Sequence, residues 1–390
     1  MRILLVGDYP NDPRLGSTKV LLKLQEEFRA AGHTCGVLLG DDLGARPRHR
    51  AARWALGPIA AFAAVRGAIQ RNGRYDVIDV ASAEGLWLGI ARRLGALTGT
   101  AVIARSNGIE HVNYARMLGD ADAGLVTKPW TRRWYYPAVR LSQVAAAARA
   151  ADRLIVLNEG DRDFVLSRRW KRKADVDVVP HGVSSRFFES VRETAPRGRG
   201  VLFCGSWDLM KGVPYLVDAF SALVQSDIRV QPDGAPVTLT ILGGGVPEAQ
   251  IRAVFPESAR SRVTIVDRAP EDEVIAAYRT HDVLAFPSTY EGFGMVVIEA
   301  MSQRLPVAST PVGCATTIIE NEKSGLLVPS RDSRALADAL ARLLADPQLR
   351  TRLADEAFRR VSSMTWTETA RATLEIYQRT IRARPAFVHA

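Results

Sequence analysis

Two glutamates separated by seven residues, Glu291 and Glu299, have the setting in this 390-residue chain that most suggests chemistry. They lie in the segment 287–302, where an apolar run ends, a glycine-flanked turn follows, and an apolar helix is predicted to begin near Gly294. The carboxyl end of a parallel strand that leads into a helix is where α/β sheets bind anionic ligands. A carboxylate on an apolar helix needs a partner. For Glu299, that partner is either a ligand hydroxyl or a backbone or arginine group of the chain.

Glycine-rich segments follow other apolar runs. The segment 205–212 contains Lys211, a cation placed where it could reach a diphosphate; a solvated surface lysine is the alternative. The segment 243–245 permits close backbone approach but has no Walker lysine and no GxGxxG spacing, so neither ATPase activity nor NAD binding is supported. No DxD pair ends a predicted strand and the six histidines are scattered, so we expect no metal site.

The elements that must position these residues alternate along the whole chain. Short β-branched or Leu-rich runs are separated by amphipathic helical patterns, which predicts doubly wound α/β sheets. The predicted strands are 3–6, 37–39, 77–80, 101–105, 154–157, 176–179, 201–204, 237–242, 263–266, 283–286, 306–308 and 326–328.

The opening strand–glycine–helix pattern recurs at residue 201, after a polar stretch that contains Pro196. We therefore predict two Rossmann-like domains facing across a cleft. The predicted parts are a first domain at 1–185, a linker at 186–199, a second domain at 200–365, and a closing helix and tail at 366–390. The closing helix could cross back to the first domain.

The composition is globular, with 47% hydrophobic and 24% charged residues, which excludes collagen-like and disordered chains. The longest apolar stretch, 54–65, falls short of the roughly 20 residues that cross a bilayer. The N-terminal apolar run is too short for a signal peptide. Three distant cysteines without a CxxC pair suit a reducing compartment, so we expect a cytoplasmic protein without disulfides or zinc.

Positive charge is concentrated in the first half of the chain. Residues 1–200 carry 32 Lys and Arg against 20 Asp and Glu, whereas residues 201–390 carry 20 against 22. Nucleic acid, anionic lipid or phosphorylated substrates could each explain this bias, as could an arginine-rich composition that merely keeps the protein soluble.

The basic half also contains the segment 128–137, in which four aromatic residues alternate with cations. Such a segment suits a membrane interface, sugar stacking or single-stranded nucleic acid; packing of the aromatics within their own domain is the alternative. No nucleic-acid recognition module accompanies the charge, so we expect no nucleic-acid partner.

The chain resembles the retaining glycosyltransferases of the GT-B fold, family 4 type, known as glycosyl transferases group 1. The resemblance covers nearly the whole chain and rests on the E-x7-E element of Glu291 and Glu299, on the Lys211 loop, and on the segments 179–187 and 324–328. It implies a metal-independent enzyme that moves a sugar from a UDP- or GDP-linked donor to a hydroxyl acceptor. The acceptor would be a glycan, a glycolipid or a small molecule bound by the first domain. The nucleotide sugar is a substrate, and no cofactor is expected.

The resemblance also implies a role for each matching residue. Glu299 would hold the ribose hydroxyls, Glu291 and the amides after it would face the sugar and its phosphate, and Lys211 would neutralise the diphosphate. The implied donor-binding residues are Gly16, Ser206, Lys211, Gly243, Arg268, Glu291, Gly292, Phe293, Gly294 and Glu299. The implied catalytic residues are Glu291, His111 and Lys211.

Three positions depart from the family pattern. Ser206 stands where the family often has arginine, and Arg268 is a candidate replacement. The segment 106–111 lacks the family's His-Gly pair, so His111 either takes that histidine's place or is an ordinary loop residue. The segment 313–317 carries threonines where a glutamate is usual. These changes keep a rival hypothesis open, a non-catalytic basic binding protein with the same fold.

The charge and the aromatic segment together suggest a further partner. We hypothesise that the first domain docks on an anionic membrane surface to reach its acceptor, which would make the protein peripheral on the inner face of the membrane. A soluble anionic acceptor that meets the same patch is the competing hypothesis.

Overall fold

The computed structural model describes residues 1–13, 15–44, 47, 49–189 and 198–383. The chain forms two compact units. The first unit combines Met1–His181 with the segment that begins at Trp366, and the second unit is Gly182–Thr365. Each unit is built around a six-stranded parallel sheet.

The first sheet has the order β2-β1-β3-β4-β5-β6, with the strands β1 (Arg2–Val6), β2 (Thr34–Leu38), β3 (Val77–Ala81), β4 (Ala101–Arg105), β5 (Arg153–Val156) and β6 (Val176–Val178). The second sheet has the order β11-β10-β7-β12-β13-β14, with the strands β7 (Val201–Cys204), β10 (Leu239–Leu242), β11 (Val263–Val266), β12 (Val283–Phe286), β13 (Val307–Ser309) and β14 (Leu326–Leu327). Between β7 and β10, an antiparallel ribbon is made of β8 (Arg229–Val230) and β9 (Ala235–Pro236).

The helices of the first unit are α1 (Gly16–Ala30), α2 (Arg50–Asn72), α3 (Leu86–Arg93), α4 (Glu110–Asp122), α5 (Ser142–Ala150), α6 (Glu159–Ser167) and α16 (Trp366–Arg382). The helices of the second unit are α7 (Ser185–Glu189), α8 (Val213–Gln225), α9 (Glu248–Ala253), α10 (Glu257–Arg260), α11 (Glu271–Thr280), α12 (Met295–Ser302), α13 (Ala315–Ile318), α14 (Ser333–Ala345) and α15 (Pro347–Val361).

The α/β prediction is confirmed. All twelve predicted sheet strands are present, with ends shifted by a few residues; among the described residues, the β8–β9 ribbon was not predicted. The strands β3, β4 and β12 are buried along their whole length, because helices cover both faces of a parallel sheet. Continuous apolar runs are therefore what such strands require.

In each sheet, the strand order reverses beside the first strand. The chain runs from β1 outward to β2 and then returns to β3 on the other side of β1. In the second sheet, β10 and β12 lie on opposite sides of β7 in the same way. Ligands of doubly wound sheets bind at the carboxyl ends of the strands at such a reversal point. The loops that follow β1, β3, β7 and β12 are therefore the places to look for a site.

The last helix, α16, packs on the first unit. Its Tyr377 is fully buried, makes an edge-on contact with Phe28 of α1 at 5.7 Å between ring centroids, and donates its hydroxyl to the Asp79 carboxylate of β3. The same carboxylate receives Arg105 of β4 through three N–H···O contacts of 2.6–3.1 Å. Asp79 and Arg105 are each 1% exposed. The last helix therefore helps to satisfy a charged pair within the first sheet.

Part of the predicted linker at 186–199 has regular structure. Its first residues belong to α7, where Phe187 is buried and its carbonyl accepts a hydrogen bond from Gln303 Nε2. This helix packs within the second unit because the apolar Phe187 side chain is buried there. The neighbouring residues in the sequence are polar, which is why the segment was predicted to be a linker. Residues 190–197 of the predicted linker and 384–390 of the predicted tail lie outside the described residues.

Removing the Tyr377 hydroxyl should destabilise the first unit. We expect Tyr377→Phe to lower the free energy of unfolding by about 1–3 kcal/mol, because the buried Asp79 carboxylate loses a donor. Tyr114→Phe is the matched control, since that hydroxyl hydrogen-bonds a backbone carbonyl at an exposed site and should change the free energy by less than about 0.5 kcal/mol. Urea unfolding of both variants measures the difference, and equal stabilities would contradict this role of Tyr377.

Candidate functional site

The reversal point of the second sheet brings Lys211 and Glu291 together. Lys211 ends the loop after β7, and Glu291 lies in the turn after β12. Lys211 Nζ lies 2.7 Å from Glu291 Oε1. Ser288 donates its hydroxyl to the same carboxylate oxygen, also at 2.7 Å. The structure thus joins two of the three residues that the family pattern implies to be catalytic.

Lys211 is held by its own loop. Asp208 caps the short helical turn Leu209–Lys211 by accepting a hydrogen bond from the Lys211 amide at 3.2 Å. Ser206, at the position where the family often has arginine, donates its hydroxyl to Asp208 at 2.6 Å. Ser206 therefore supports the cap that orients Lys211.

Gly212 is the residue that allows the two loops to approach. Its φ is +73°, in the left-handed region, and a Cβ atom there would lie 1.9 Å from the carbonyl oxygen of Pro287. Any other residue would push the Lys211 loop away from the Glu291 turn. The ion pair therefore depends on the absence of a side chain at the next position.

The pair is largely shielded from solvent. The side chains of Lys211 and Glu291 are 20% and 8% exposed. Burial lowers the pKa of Lys211, but the adjacent Glu291 carboxylate outweighs burial and raises that pKa above its usual value. Lys211 is therefore a fixed positive charge at neutral pH.

The turn that leads into α12 is braced from the opposite side. The Cys314 amide donates to the Phe293 carbonyl at 2.6 Å, and Gly294 begins α12 with a φ of +88°. The carbonyl of Phe293 is thereby occupied. The backbone amides of the predicted donor-binding residues Gly292, Phe293 and Gly294 lie between Glu291 and the N-terminus of α12, at an end that attracts negative charge.

Glu299 lies one helical turn into α12 and is 7% exposed. Its carboxylate accepts a hydrogen bond from the Tyr278 hydroxyl of α11 at 3.1 Å. Burial, and to a smaller extent the nearby Glu299 charge, raises the pKa of Tyr278 well above its usual value, so Tyr278 remains a donor. The sequence predicts a partner for Glu299 but did not identify this tyrosine, because it comes from a separate helix.

The remaining predicted site residues, both donor-binding and catalytic, fall into two groups. Gly243 lies beside Gly205 at the edge where β7 and β10 end. The Arg268 guanidinium lies close to Gly245, 3.7 Å from the point where a Cβ atom would stand. These residues share the sheet edge that carries Lys211. Gly16, at the start of α1, and His111 belong to the first unit.

The reversal point of the first sheet carries a cavity of about 150 Å³, lined by both polar and apolar residues, that the sequence did not predict. Tyr9 after β1, Ser82 after β3 and Asn107 after β4 line this cavity. Asn107 Nδ2 donates to the Tyr9 hydroxyl at 2.9 Å. Burial raises the pKa of Tyr9 beyond its usual range, so the phenol stays neutral.

Two carboxylates and one guanidinium lie at the same edge. Arg140 contacts Glu84 at 2.6 Å and Glu110 at 3.3 Å. Glu110 also accepts hydrogen bonds from Tyr136, at 2.8 Å, and from Ser82. Burial raises the pKa of both carboxyls, but for Glu110 the Arg140 charge and its three donors outweigh burial and lower the pKa. The only sequence signal for this cluster was an acidic residue shortly after each of two apolar strands.

His111 follows Glu110 on α4 but contacts aromatic rings. Its ring centroid lies 4.6 Å from that of Trp170 and 6.0 Å from that of Phe164. Burial lowers the pKa of His111 to about 4, so the imidazole is neutral at pH 7. Asn107, which comes directly after β4 and Ser106, lines the cavity of about 150 Å³ described above.

Neither a metal cluster nor a membrane span is found in the described part of the chain. No three His, Cys, Asp or Glu side chains among residues 1–13, 15–44, 47, 49–189 and 198–383 are grouped so that they could hold a metal ion. Within the same ranges, every helix is too short or too polar to cross a bilayer.

Replacing Gly212 should test the constraint on the Lys211 loop. We expect Gly212→Ala to lower the free energy of unfolding by about 3 kcal/mol or more, because backbone strain of about 1–2 kcal/mol adds to the clash with Pro287. Gly234→Ala is the matched control, because Gly234 has a φ of +68° but no atom of the described residues lies within 4 Å of the point where a Cβ would stand. This variant should therefore lose only the free energy of the backbone strain. Chemical denaturation measures the free energy of unfolding of both variants. Equal losses of stability would show that the close approach of Gly212 to Pro287 is unimportant.

Comparisons with known proteins match most of the second unit to a family. Residues 198–346 match the family described as glycosyl transferases group 1. A D-inositol 3-phosphate glycosyltransferase of Jonesia denitrificans is 39% identical over 191 residues, covering 48% of this chain and 44% of that protein. The chain spans about half the length of the curated relatives that it matches.

Solved structures match nearly the whole chain. A sucrose-phosphate synthase from Thermosynechococcus elongatus aligns with a TM-score of 0.77 and 23% identity over 98% of this chain and 100% of that one. Anabaena HepE in complex with UDP-glucose aligns with a TM-score of 0.70 and 18% identity over 97% and 100%. The predicted resemblance is confirmed: the chain has the GT-B fold, and residues 198–346 match the glycosyl transferases group 1 family.

Proposed function

We propose that this chain is a glycosyltransferase that moves a sugar from a nucleotide-sugar donor to a hydroxyl acceptor with retention of anomeric configuration. The observation that carries the proposal is the Lys211–Glu291 pair, 2.7 Å apart, at the reversal point of a sheet whose residues match the group 1 family. The matching relatives are named as glycosyltransferases. HepE is described in complex with UDP-glucose, which favours a UDP-linked donor over a GDP-linked one.

The chemistry follows from the charges at this edge. When the bond between the anomeric carbon and the diphosphate oxygen breaks, negative charge develops on the leaving group. The Lys211 ammonium and the amides of residues 292–294 would stabilise that charge. The acceptor oxygen would attack from the face that the leaving group vacates and pass its proton to the departing phosphate. In this scheme the protein supplies the charge stabilisation without a metal ion.

Lys211→Ala should impair both donor binding and turnover. We expect kcat/KM for sugar transfer to fall by about 10²–10³-fold, because the lost charge partner acts most strongly in the transition state. Lys23→Ala is the matched control, since that lysine pairs with Glu26 on the surface of α1 and should leave kcat/KM within about twofold. Steady-state rates with a panel of UDP- and GDP-sugars measure the effect, and thermal unfolding checks that the variant is folded.

Three results would count against the proposal. An unchanged kcat/KM in Lys211→Ala would remove this residue from the site. Activity abolished by EDTA and restored by manganese would contradict the metal-independent scheme. Nucleotide-sugar binding without hydrolysis or transfer, for any acceptor, would favour the non-catalytic binding protein.

We include an anionic membrane surface among the proposed partners. Trp130 and Trp134 are 69% and 68% exposed. The segment that carries them packs along the start of α2, because the Tyr135 hydroxyl donates to the Ala51 carbonyl at 3.3 Å. The basic–aromatic surface is defined here as Arg50, Arg53, Trp130, Arg133 and Trp134, all of them exposed.

Other residues of the aromatic segment pack within the first unit. The Arg132 guanidinium lies 4.8 Å from the Trp54 ring centroid and 4.7 Å from that of Tyr136. Tyr136 is buried and donates its hydroxyl to Glu110. Only part of the segment is therefore available to contact lipid headgroups.

Arg133→Gln should weaken binding to anionic vesicles about fivefold, because a basic residue near such a surface contributes about 1 kcal/mol. Arg359→Gln is the matched control on the second unit, where the arginine is also exposed to solvent. Cosedimentation with anionic and neutral vesicles, at low and high salt, measures the partition. If the protein binds neither kind of vesicle at low salt, the membrane partner is excluded and a soluble acceptor remains.

A further inference from the structure

A second cavity of the first unit lies between α4, α5 and the residues that follow α6, and its volume is about 490 Å³. We call it the side cavity. Ala145 and Arg149, four residues apart on one face of α5, belong to its lining. The cavity of about 150 Å³ is lined from the neighbouring face of α5, by Val144 and Ala148. The side cavity is therefore a separate site, although Trp170 lines both.

Part of the lining of the side cavity is apolar and aromatic. Leu141 and Trp170 are 5% and 6% exposed. The Trp170 ring makes edge-on contacts with the rings of His111 and Phe164, at 4.6 Å and 5.6 Å between centroids. Sites for small molecules are mostly apolar cavities of roughly 300–1,000 Å³ that carry a few polar groups. The side cavity has the size and the kind of lining that such a site requires.

Two arginines supply positive charge to the side cavity. The Arg149 guanidinium lies 5.9 Å from the Trp170 ring centroid, and that of Arg168 lies 5.5 Å from the Phe164 ring centroid. Both arginines are exposed, and in the described part of the chain no carboxylate forms an ion pair with either. Contact with a ring holds a guanidinium in place but does not neutralise it. Both arginines therefore retain their charge and can donate hydrogen bonds to a ligand.

Neighbouring cations differ, because they are used within the protein. Arg93 Nε donates to the Ala150 carbonyl at 2.9 Å, and Lys171 Nζ donates to the Arg149 carbonyl at 3.2 Å. These two side chains thus cap the C-terminus of α5, where cations are favourable. The guanidiniums of Arg149 and Arg168 cap no helix in this way, so a structural role does not account for their presence at the cavity.

His111 shows that both guanidiniums act at the same place. It lines the side cavity, and its Nδ1 is a buried atom without a hydrogen-bond partner among the described residues. Burial lowers the pKa of His111 to about 4; Glu110 opposes this shift, whereas the Arg168 and Arg149 charges add to it. The imidazole therefore lies within the electrostatic reach of both arginines.

A phosphate monoester matches this arrangement. It carries close to two negative charges at neutral pH, which two guanidiniums can balance, whereas a carboxylate carries one. Its oxygens accept the paired N–H donors that a guanidinium presents. An apolar group attached to the phosphate would cover the apolar lining around Leu141 and Trp170.

We propose that the side cavity binds a phosphate monoester with a compact apolar body, and that Arg149 and Arg168 hold its phosphate. The inference does not rest on the proposed function, because neither Lys211 nor Glu291 takes part in it. Free esters and the monoester headgroup of phosphatidic acid share this chemistry, so both sources are tested.

Hexyl phosphate is the probe for a free ester, and isothermal titration calorimetry on the full chain measures its dissociation constant. We expect binding at least about tenfold tighter than that of inorganic phosphate, because the hexyl group buries several methylenes. Arg149→Gln and Arg168→Gln should each weaken binding of hexyl phosphate by about tenfold or more, because each removes a charge-assisted hydrogen bond. Arg66→Gln is the matched control: that arginine is also exposed and lies 6.0 Å from the Phe62 ring centroid, and its loss should leave the dissociation constant unchanged.

Imidazole NMR of ¹⁵N-histidine-labelled protein measures the effect at the cavity itself, with His111→Gln identifying the signal. We expect hexyl phosphate to raise the pKa of His111 above its value of about 4, because a neighbouring anion favours the protonated ring. Binding that leaves this pKa unchanged would place the ester elsewhere on the protein and overturn the inference.

Dihexanoyl phosphatidic acid, with dihexanoyl phosphatidylcholine as its control, is the probe for a lipid headgroup. A His111 response to hexyl phosphate supports a site for free esters, and a response to the phosphatidic acid alone supports a site for the lipid. The inference fails if neither ester binds, or if both arginine variants bind hexyl phosphate as tightly as the unmodified protein. Thermal unfolding checks that each variant is folded.

Discussion

The reversal of strand order beside β1 and β7 decides where the polar chemistry of this protein lies. Parallel strands end at a common edge, and at a reversal point the two loops leave in opposite directions, which opens a crevice between them. Lys211 and Glu291 meet in the crevice of the second sheet. Tyr9, Ser82 and Asn107 line that of the first. The topology thus brings together residues as distant as Lys211 and Glu291, which no local pattern connects.

The two crevices have different electrostatics. The second combines a largely shielded ammonium with the N-terminus of a helix, which suits a group that gains negative charge. In the first, the Arg140 guanidinium is shared between the carboxylates of Glu84 and Glu110. The shielded arginines Arg105 and Arg140 are each paired with carboxylates, so the net charge of the first unit says little about the polarity at its strand ends.

The elements were predictable because burial on both faces of a parallel sheet imposes continuous apolar runs. The Lys211–Glu291 region was predictable from its glycines and from the family pattern. Tyr278 and Arg140 were not, since each reaches its carboxylate from a separate helix. His111 shows another limit. It is adjacent to Glu110, and successive residues on a helix point about 100° apart, so one contacts Arg140 while the other contacts Trp170.

The return of α16 to the first unit has a consequence for biosynthesis. The Asp79–Arg105 pair forms from strands made early, but its tyrosine donor is translated only after the whole second unit. During translation, the second unit can acquire all of its strands while the first unit still lacks the helix that covers α1. The first unit therefore leaves the ribosome first but is completed last. Of the two units, it should need chaperone protection for longer during translation.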